Sequence, residues 1–194
     1  KHPTSRKLLK LLKYPLAAPS ANISTKISPV SSADVKDEFG TKIKFILDGG
    51  ISSVGLESTI ISLVNSPQIL RLGGIEVKEI NKVLKTNLKY KSRNKTLNVP
   101  GQSKIHYSPG IPIRMNVNSP KPKEAFILIK KKNSFGKNFY YLSKKKNLKE
   151  AAKNLYKTLR IIKKNKFKSI AVEKIPNDGF GEAINDRLSR ASKF

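Results

Sequence analysis

A chain of 194 residues with 38% hydrophobic residues, 11 Gly and 11 Pro has enough apolar material for a packed core, which excludes collagen-like, low-complexity and wholly disordered readings. Lys and Arg number 40 against 13 Asp and Glu, a formal net charge of +27, spread as +10 over residues 1–100 and +17 over 101–194. The lack of Cys excludes disulfides, thiolate zinc sites and a cysteine nucleophile, and two His, His2 and His106, leave little for an imidazole-built metal centre. The longest apolar stretches, around Thr59–Val64 and Ala125–Ile129, fall far below the roughly 18 residues of a spanning helix, so no membrane partner is expected.

The basic balance invites a nucleic-acid reading, because Lys and Arg neutralise phosphates. Only seven of the 40 basic residues are Arg, however, and dedicated phosphate and base readers favour the forked guanidinium. Non-specific RNA contact is therefore the form that charge alone supports. The sequence opens on Lys1, its single Met is Met115, and no apolar run with a small-residue cleavage site follows, so a piece of a longer, cytoplasmic protein is expected.

Residues 4–13 (TSRKLLKLLK) place Leu8, Leu9, Leu11 and Leu12 on one helical face, ending before Pro15. PLAAPSANISTKISPVSS reads as a short strand over Leu16–Ala18 running into a loop of short polar side chains. Ser31 or Ser32 caps a short helix that stops at Gly40. Ile43, Phe45, Ile46 and Leu47 then suggest a half-buried strand leading to Asp48 and the Gly49-Gly50 turn. Ser58–Val64 and Gln68–Gly74 are two more strands, joined across Ser66-Pro67 as a hairpin, and Val77, Ile80, Val83 and Leu84 follow at helical spacing.

From about Leu88 to Pro122 no period survives and Pro, Gly, Ser, Asn and Lys accumulate, which marks a linker and a boundary near residue 97. Beyond it, EAFILIKK and NFYYLSK read as strands. Leu148, Ala152, Leu155, Leu159 and Ile162 share a helix face, KSIAVEKI is a strand and EAINDRLSRAS a helix. This β-β-α-β-α order predicts a small open α/β sheet of Rossmann-like kind, without the Gly-rich fingerprint that would imply a dinucleotide.

Four polar clusters stand beside predicted strand ends: Ala18-Pro19-Ser20-Ala21-Asn22, Ser28, Gly55–Thr59 and Arg71–Gly74. Hydroxyls, a side-chain amide and exposed backbone N–H groups suit a phosphate, ribose or carboxylate, and Arg71 can fork onto an anion. Turn closure explains Ser20 and Asn22 equally well, and Ser58 equally suits an ordinary strand start. Glu57 and Asp48 are a possible carboxylate pair, and His106 beside Tyr107 reads as exposed decoration rather than a base. No Ser/His/Asp arrangement, P-loop or metal-ligand spacing is present.

Taken in order, PLAAPSANIST, ISPVS, ILDGG, VGLESTIISLV and ILRLGGI closely resemble the second half of the YrdC-like domain of the Sua5/YciO/YrdC/YwlC family. PGQSKIHYSPGIP resembles the interdomain linker of its two-domain members, and AAKNLYKTLR with GFGEAINDRLSRAS resembles their C-terminal Sua5 domain. The resemblance implies an α/β protein: the C-terminal half of a YrdC-like domain with a mixed sheet over 1–97, a linker over 98–122 and a small Rossmann-like Sua5 domain over 123–194. It implies L-threonylcarbamoyladenylate synthesis from ATP, L-threonine and bicarbonate, with Mg2+ accompanying ATP and the product passed to the tRNA threonylcarbamoyl transferase machinery. Matching motifs place Ala18, Ser20, Asn22, Ser28 and Arg71 around ATP, Ser58 on threonine and Tyr107 as a linker lid. Thr25 stands where the family often has Gly.

The family's N-terminal half, with its Lys/Arg-rich ATP segment, has no counterpart here, so the 194 residues alone are expected to be catalytically incompetent, with strands in 1–97 lacking partners. A basic RNA-binding or regulatory module is the competing reading. The related carbamoyl-transfer maturation proteins rank last, for want of any cysteine-rich segment.

Overall fold

The computed structural model describes residues 2–90, 99–101, 103, 105–131 and 136–193. Helix α1, Pro3–Leu11, begins with Pro in its first turn after the N-cap His2 and stops at Leu12. None of its residues is buried, so the expected apolar face exists but Leu8, Leu9 and Leu11 stay exposed. Residues 15–20 run on without secondary structure, so the expected strand over Leu16–Ala18 is not formed. Helix α2, Ser32–Phe39, is capped by Ser31, whose hydroxyl accepts the Asp34 N–H at 3.2 Å, and it ends at Gly40 with φ +55°.

The strand expected over Ile43–Leu47 is also absent. A strand exists only as part of a ladder, and among the described residues nothing pairs with this segment, which leaves Phe45 90% exposed. The hairpin does form: β1, Ile60–Ser62, pairs antiparallel with β2, Gln68–Arg71, with Ile60 opposite Arg71 and Ser62 opposite Gln68. Both strands are shorter than the sequence suggests, and Leu63 and Val64 are exposed in the turn. Helix α3, Val77–Leu84, buries Ile80 and ends on Lys85 in the left-handed region.

The second half is a four-stranded parallel sheet in the order β3-β6-β4-β5. Its strands are β3, Ile113–Arg114, β4, Glu124–Lys130, β5, Phe139–Ser143, and β6, Ser169–Val172. Strand β3 lies inside the segment read as linker, and two residues beside Pro112 are too few to show a period. Helix α4, Leu148–Lys164, is capped by Asn147 and buries Ala152, Leu155, Leu159 and Ile162 on one face, as their spacing requires. Helix α5, Phe180–Ala191, buries Ala183, Ile184, Leu188 and Ala191.

Both helices pack on the sheet face of Ala125, Ile127, Ile129, Ile170 and Val172. The alternate residues Phe126, Leu128 and Ala171 form a smaller cluster with Val117, Phe139 and Tyr141. Glu124 ties three strands together. It accepts from Arg114 Nε and Nη2 at 3.0 and 2.7 Å, from Ser169 Oγ at 3.0 Å and from the Lys121 N–H at 2.7 Å. The Arg114 bonds, opposed by burial, hold its carboxyl down to about 2.

The main core does not stop at the sheet. Ile27, Val30, Leu56, Ile69, Leu72, Ile80 and Tyr107 belong to the same contiguous cluster as the α4 and α5 residues. At the seam Gly55 has φ +79°, and a Cβ there would run into the Lys153 backbone of α4. Arg160 of α4 donates to the Ile27 carbonyl at 2.6 Å and pairs with Glu38 of α2 at 3.5 Å. The described residues thus form an α/β protein with one antiparallel and one parallel sheet joined through a shared core.

Candidate functional site

The hairpin base brings two predicted site residues into contact. Thr59 Oγ1 donates to the Ile75 carbonyl at 2.7 Å and accepts its N–H at 3.1 Å, and the Gly74 N–H donates to the Glu57 carbonyl at 2.9 Å. Gly73 faces the backbone of Glu57–Thr59 so closely that any Cβ would collide with it. Across this contact Arg71 donates through Nε and Nη2 to the Ser58 carbonyl at 3.0 and 2.9 Å, and through Nη2 to Ser58 Oγ at 3.1 Å. Its Nη1 donates to the Pro100 carbonyl at 2.9 Å. Arg71 is buried, so these bonds replace the water it has lost.

The residue before Ser58 is the hub of a second network. Ser28 Oγ donates to Glu57 Oε1 at 2.6 Å, and the Tyr156 hydroxyl reaches both carboxylate oxygens at 3.1 and 3.0 Å. Arg187 Nε and Nη2 meet Glu57 Oε2 at 3.3 and 3.2 Å. Burial pushes the Glu57 carboxyl up, but Arg187, Ser28 and Tyr156 together outweigh it and its pKa is lowered. Arg187 is only 1% exposed. It also donates to the Leu72 carbonyl at 2.6 Å and to Asp186 at 3.0 Å. Asp186 in turn holds Arg190, which donates to the Tyr90 hydroxyl.

Tyr107 is not at an outer surface. It is 1% exposed with φ +61°, stacks on Tyr156 at 5.7 Å between ring centroids, and carries the Arg187 guanidinium 4.9 Å above its ring. Its hydroxyl has no hydrogen-bond partner among the described residues and lies against Gly101, next to Arg71 Cδ. Burial pushes this phenol up to about 12. His106, expected to be exposed, is half-buried, with Nδ1 accepting the Tyr107 N–H at 3.0 Å. Burial lowers its pKa.

The remaining predicted residues occupy the loop after α1. Ala18 and Ser20 are exposed, and Asn22 closes the loop by donating to the Ile23 and Lys26 carbonyls at 2.9 and 3.3 Å. Thr25 takes φ +70°, a left-handed backbone region that a glycine enters without steric cost and a β-branched residue does not. This loop meets the linker where the Ser108 N–H donates to the Thr25 carbonyl at 2.8 Å. Ser28, Ser58, Arg71 and Tyr107 therefore form one connected group through Glu57 and Arg187, while Ala18 and Ser20 are exposed in the preceding loop.

Asp48 bonds the Gly50 N–H within its own loop, while Glu57 is committed to Ser28, Tyr156 and Arg187. The two carboxylates thus serve separate parts of the fold. No three His, Cys, Asp or Glu side chains converge as metal ligands among the described residues, and none of the described helices is long and apolar enough to cross a membrane. The sequence reading missed Tyr156, Asp186, Arg187 and Arg190, which are polar residues on helices chosen for their apolar spacing. Only a polar residue falling on a buried helix face could have signalled them.

Comparison with known proteins shows what the chain is similar to. Residues 75–193 match the family model described as threonylcarbamoyl-AMP synthase, C-terminal domain, and residues 1–73 match the Sua5/YciO/YrdC model described as telomere recombination. The threonylcarbamoyl-AMP synthase of Pyrococcus abyssi is 34% identical over 214 aligned residues, covering 100% of this chain and 62% of that protein. That of Bacillus subtilis is 30% identical, covering 98% and 61%. The crystal structure of Pyrococcus abyssi Sua5 complexed with L-threonine superposes with a TM-score of 0.82 at 32% identity, over 96% of this chain and 60% of that one. A variant of the same Sua5, with a histidine and the next residue, a tyrosine, replaced by alanine, superposes with a TM-score of 0.80 at 30% identity, over 99% and 61%. The chain spans about 60% of the length of these relatives.

Proposed function

The chain belongs to the Sua5 family, and from that premise we propose that it serves the synthesis of threonylcarbamoyl-AMP from ATP, L-threonine and bicarbonate. The observation that supports this reading is the contact of Arg71 with Ser58, a guanidinium fork beside a hydroxyl where the linker carbonyl of Pro100 also bonds. In the proposed reaction the threonine amine and bicarbonate form a carbamate with loss of water. A carbamate oxygen then attacks the α-phosphate and pyrophosphate leaves, so positioning and charge stabilisation are what the protein must supply.

Ser58 takes the threonine, Arg71 the phosphates, and Ala18, Ser20, Asn22 and Ser28 the nucleotide side of the same pocket. Four N–H bonds of Arg71 end on Ser58 and Pro100, so phosphate binding exchanges the Pro100 carbonyl for a phosphate oxygen and moves the linker. Tyr107, beyond Gly101, moves with it, which is the sense in which it acts as a lid. The Pyrococcus abyssi variant described above alters a His-Tyr pair, and His106-Tyr107 is this chain's only such pair. Since no protein cluster fits a resident metal among the described residues, Mg2+ is assigned to the triphosphate it travels with, and no step is routed through it.

The test is mass-spectrometric detection of threonylcarbamoyl-AMP, with pyrophosphate release, by the protein containing these 194 residues. Product formation that needs threonine and bicarbonate together is expected, and ATP turnover indifferent to threonine contradicts the reading. The 194 residues alone are expected to release no pyrophosphate on addition of threonine, because they span about 60% of their relatives. The product is proposed to pass to the machinery that modifies tRNA, in the cytoplasm.

A further inference from the structure

Arg187 lies on α5, 129 positions from Ser58 and 116 from Arg71 in sequence, yet it touches the neighbours of both. One face of its guanidinium fork meets the carboxylate of Glu57, the residue before Ser58, at 3.2 and 3.3 Å. The same Nη2 donates at 2.6 Å to the carbonyl of Leu72, the residue after Arg71. Its remaining arm is held by Asp186 at 3.0 Å, and the Tyr107 ring lies 4.9 Å beneath its central carbon. With a side chain wholly removed from solvent, it has no freedom to pivot without breaking several bonds at once.

We infer that Arg187 is a positioning residue: by gripping Glu57 and Leu72 together it sets the separation of the Ser58 and Arg71 segments, and so builds the C-terminal helix α5 into the substrate site. The inference rests on the proposed assignment of Ser58 and Arg71 to threonine and phosphate. Its physical content is independent of that assignment. The guanidinium is planar and presents its donors in a fixed fork, so it transmits geometry that a point charge cannot. Lysine keeps the charge but has no fork able to meet the carboxylate through two nitrogens while holding the carbonyl. The C-terminal domain then contributes to substrate affinity without touching substrate.

The test uses the protein containing these residues with Arg187→Lys and Arg187→Met, read by hydrogen exchange and by steady-state kinetics. Exchange is expected to quicken in peptides covering 56–60 and 71–75 while those covering 125–129 and 170–172 keep their protection. The KM for L-threonine is expected to rise about tenfold or more with kcat changed much less, the pattern of lost binding common to ground and transition state, at the size of one charge-assisted contact. Arg187→Ala should be partly restored in threonine KM by added methylguanidinium, which a general packing defect would not be.

In the unaltered protein, which needs no variant to fold, L-threonine should slow exchange in α5 along with residues 56–60. Unchanged exchange in 56–60 and 71–75 for both variants, or equal loss across the whole parallel sheet, overturns the inference. If the exchange pattern appears but threonine affects nothing in the unaltered protein, the assignment of Ser58 and Arg71 fails while the positioning role stands. If threonine acts and the variants match the unaltered protein in KM, the positioning role fails and the assignment stands.

Discussion

Replacing Glu57 by Ala leaves Arg187 buried with its principal counter-charge gone. Three partners lose their acceptor together: Ser28 Oγ at 2.6 Å, the Tyr156 hydroxyl at 3.0 Å and Arg187 at 3.2 Å. Arg187 keeps Asp186 and the Leu72 carbonyl, so its charge is not wholly stranded. Removing one member of a buried pair costs about 3–5 kcal/mol, and the lower end is expected here because Asp186 remains. Urea unfolding at neutral pH, followed by a probe of the parallel sheet, reads the change as a shift in midpoint at constant slope.

The same substitution has a pH signature. The Glu57 carboxyl titrates below its unfolded value, because Arg187 and its hydrogen-bond donors outweigh the burial that opposes them. A depressed folded pKa gives stability that is present above the unfolded value, about 4.3, and is lost as pH falls through the folded value. Glu57→Gln should therefore flatten part of the acid limb while sparing the part due to Glu124, whose carboxyl is held down to about 2. A loss below about 1 kcal/mol for Glu57→Ala, the range of an exposed ion pair, together with an unchanged acid limb for Glu57→Gln, would refute the reasoning.

Thr25→Gly removes a β-branched residue from φ +70° and is expected to raise stability by up to about 1 kcal/mol, read by thermal unfolding. A destabilised variant would mean that the Thr25 side chain contributes more than its backbone costs. Gly55→Ala drives a Cβ into the Lys153 backbone, and a loss of about 2 kcal/mol or more is expected, with exchange quickening at the seam between the Gly55 loop and α4; a neutral result would show that the two parts are not in this contact. Tyr107→Phe deletes a buried hydroxyl that has no partner among the described residues and should leave stability unchanged or raise it by up to about 1 kcal/mol, read by urea unfolding, whereas a clear loss would show that the hydroxyl is bonded in solution. RNA affinity, titrated with salt, should fall steeply and be the same for Arg71→Ala; an affinity that resists salt would make the basic-module reading the stronger one.

The parallel sheet and its helices were legible because their residues repeat at the spacing their burial demands, as Ala152, Leu155, Leu159 and Ile162 show. A hydroxyl just before a helix has one evident use, so the sequence offers Ser31 and Ser32 alike as the cap, and only the geometry selects Ser31. Ile43–Leu47 misled because alternation describes what a strand would bury, while a ladder also needs a partner, which no local pattern contains. The site divides in the same way. Ser58 and Arg71 stand 13 residues apart on one hairpin and carry recognisable motifs, so the sequence pointed to both. Arg187 reaches Glu57 across 130 residues; the spacing in GFGEAINDRLSRAS sets it on the face of Ala183, Ile184, Leu188 and Ala191, but no helical pattern contains the distant carboxylate and carbonyl it meets.

The corner formed by Ser58 and Arg71 is the centre of the functional account, and calorimetric titration tests it most directly. L-threonine, with Mg-ATP and bicarbonate present, is titrated into the protein containing these residues and into its Ser58→Ala and Arg71→Ala variants, with unfolding midpoints recorded alongside. The account predicts a saturable threonine heat that Ser58→Ala weakens at unchanged nucleotide affinity, and a nucleotide affinity that Arg71→Ala weakens by about tenfold or more, the loss of a charge-assisted bond. Threonine and nucleotide heats that are the same in all three folded proteins would contradict it.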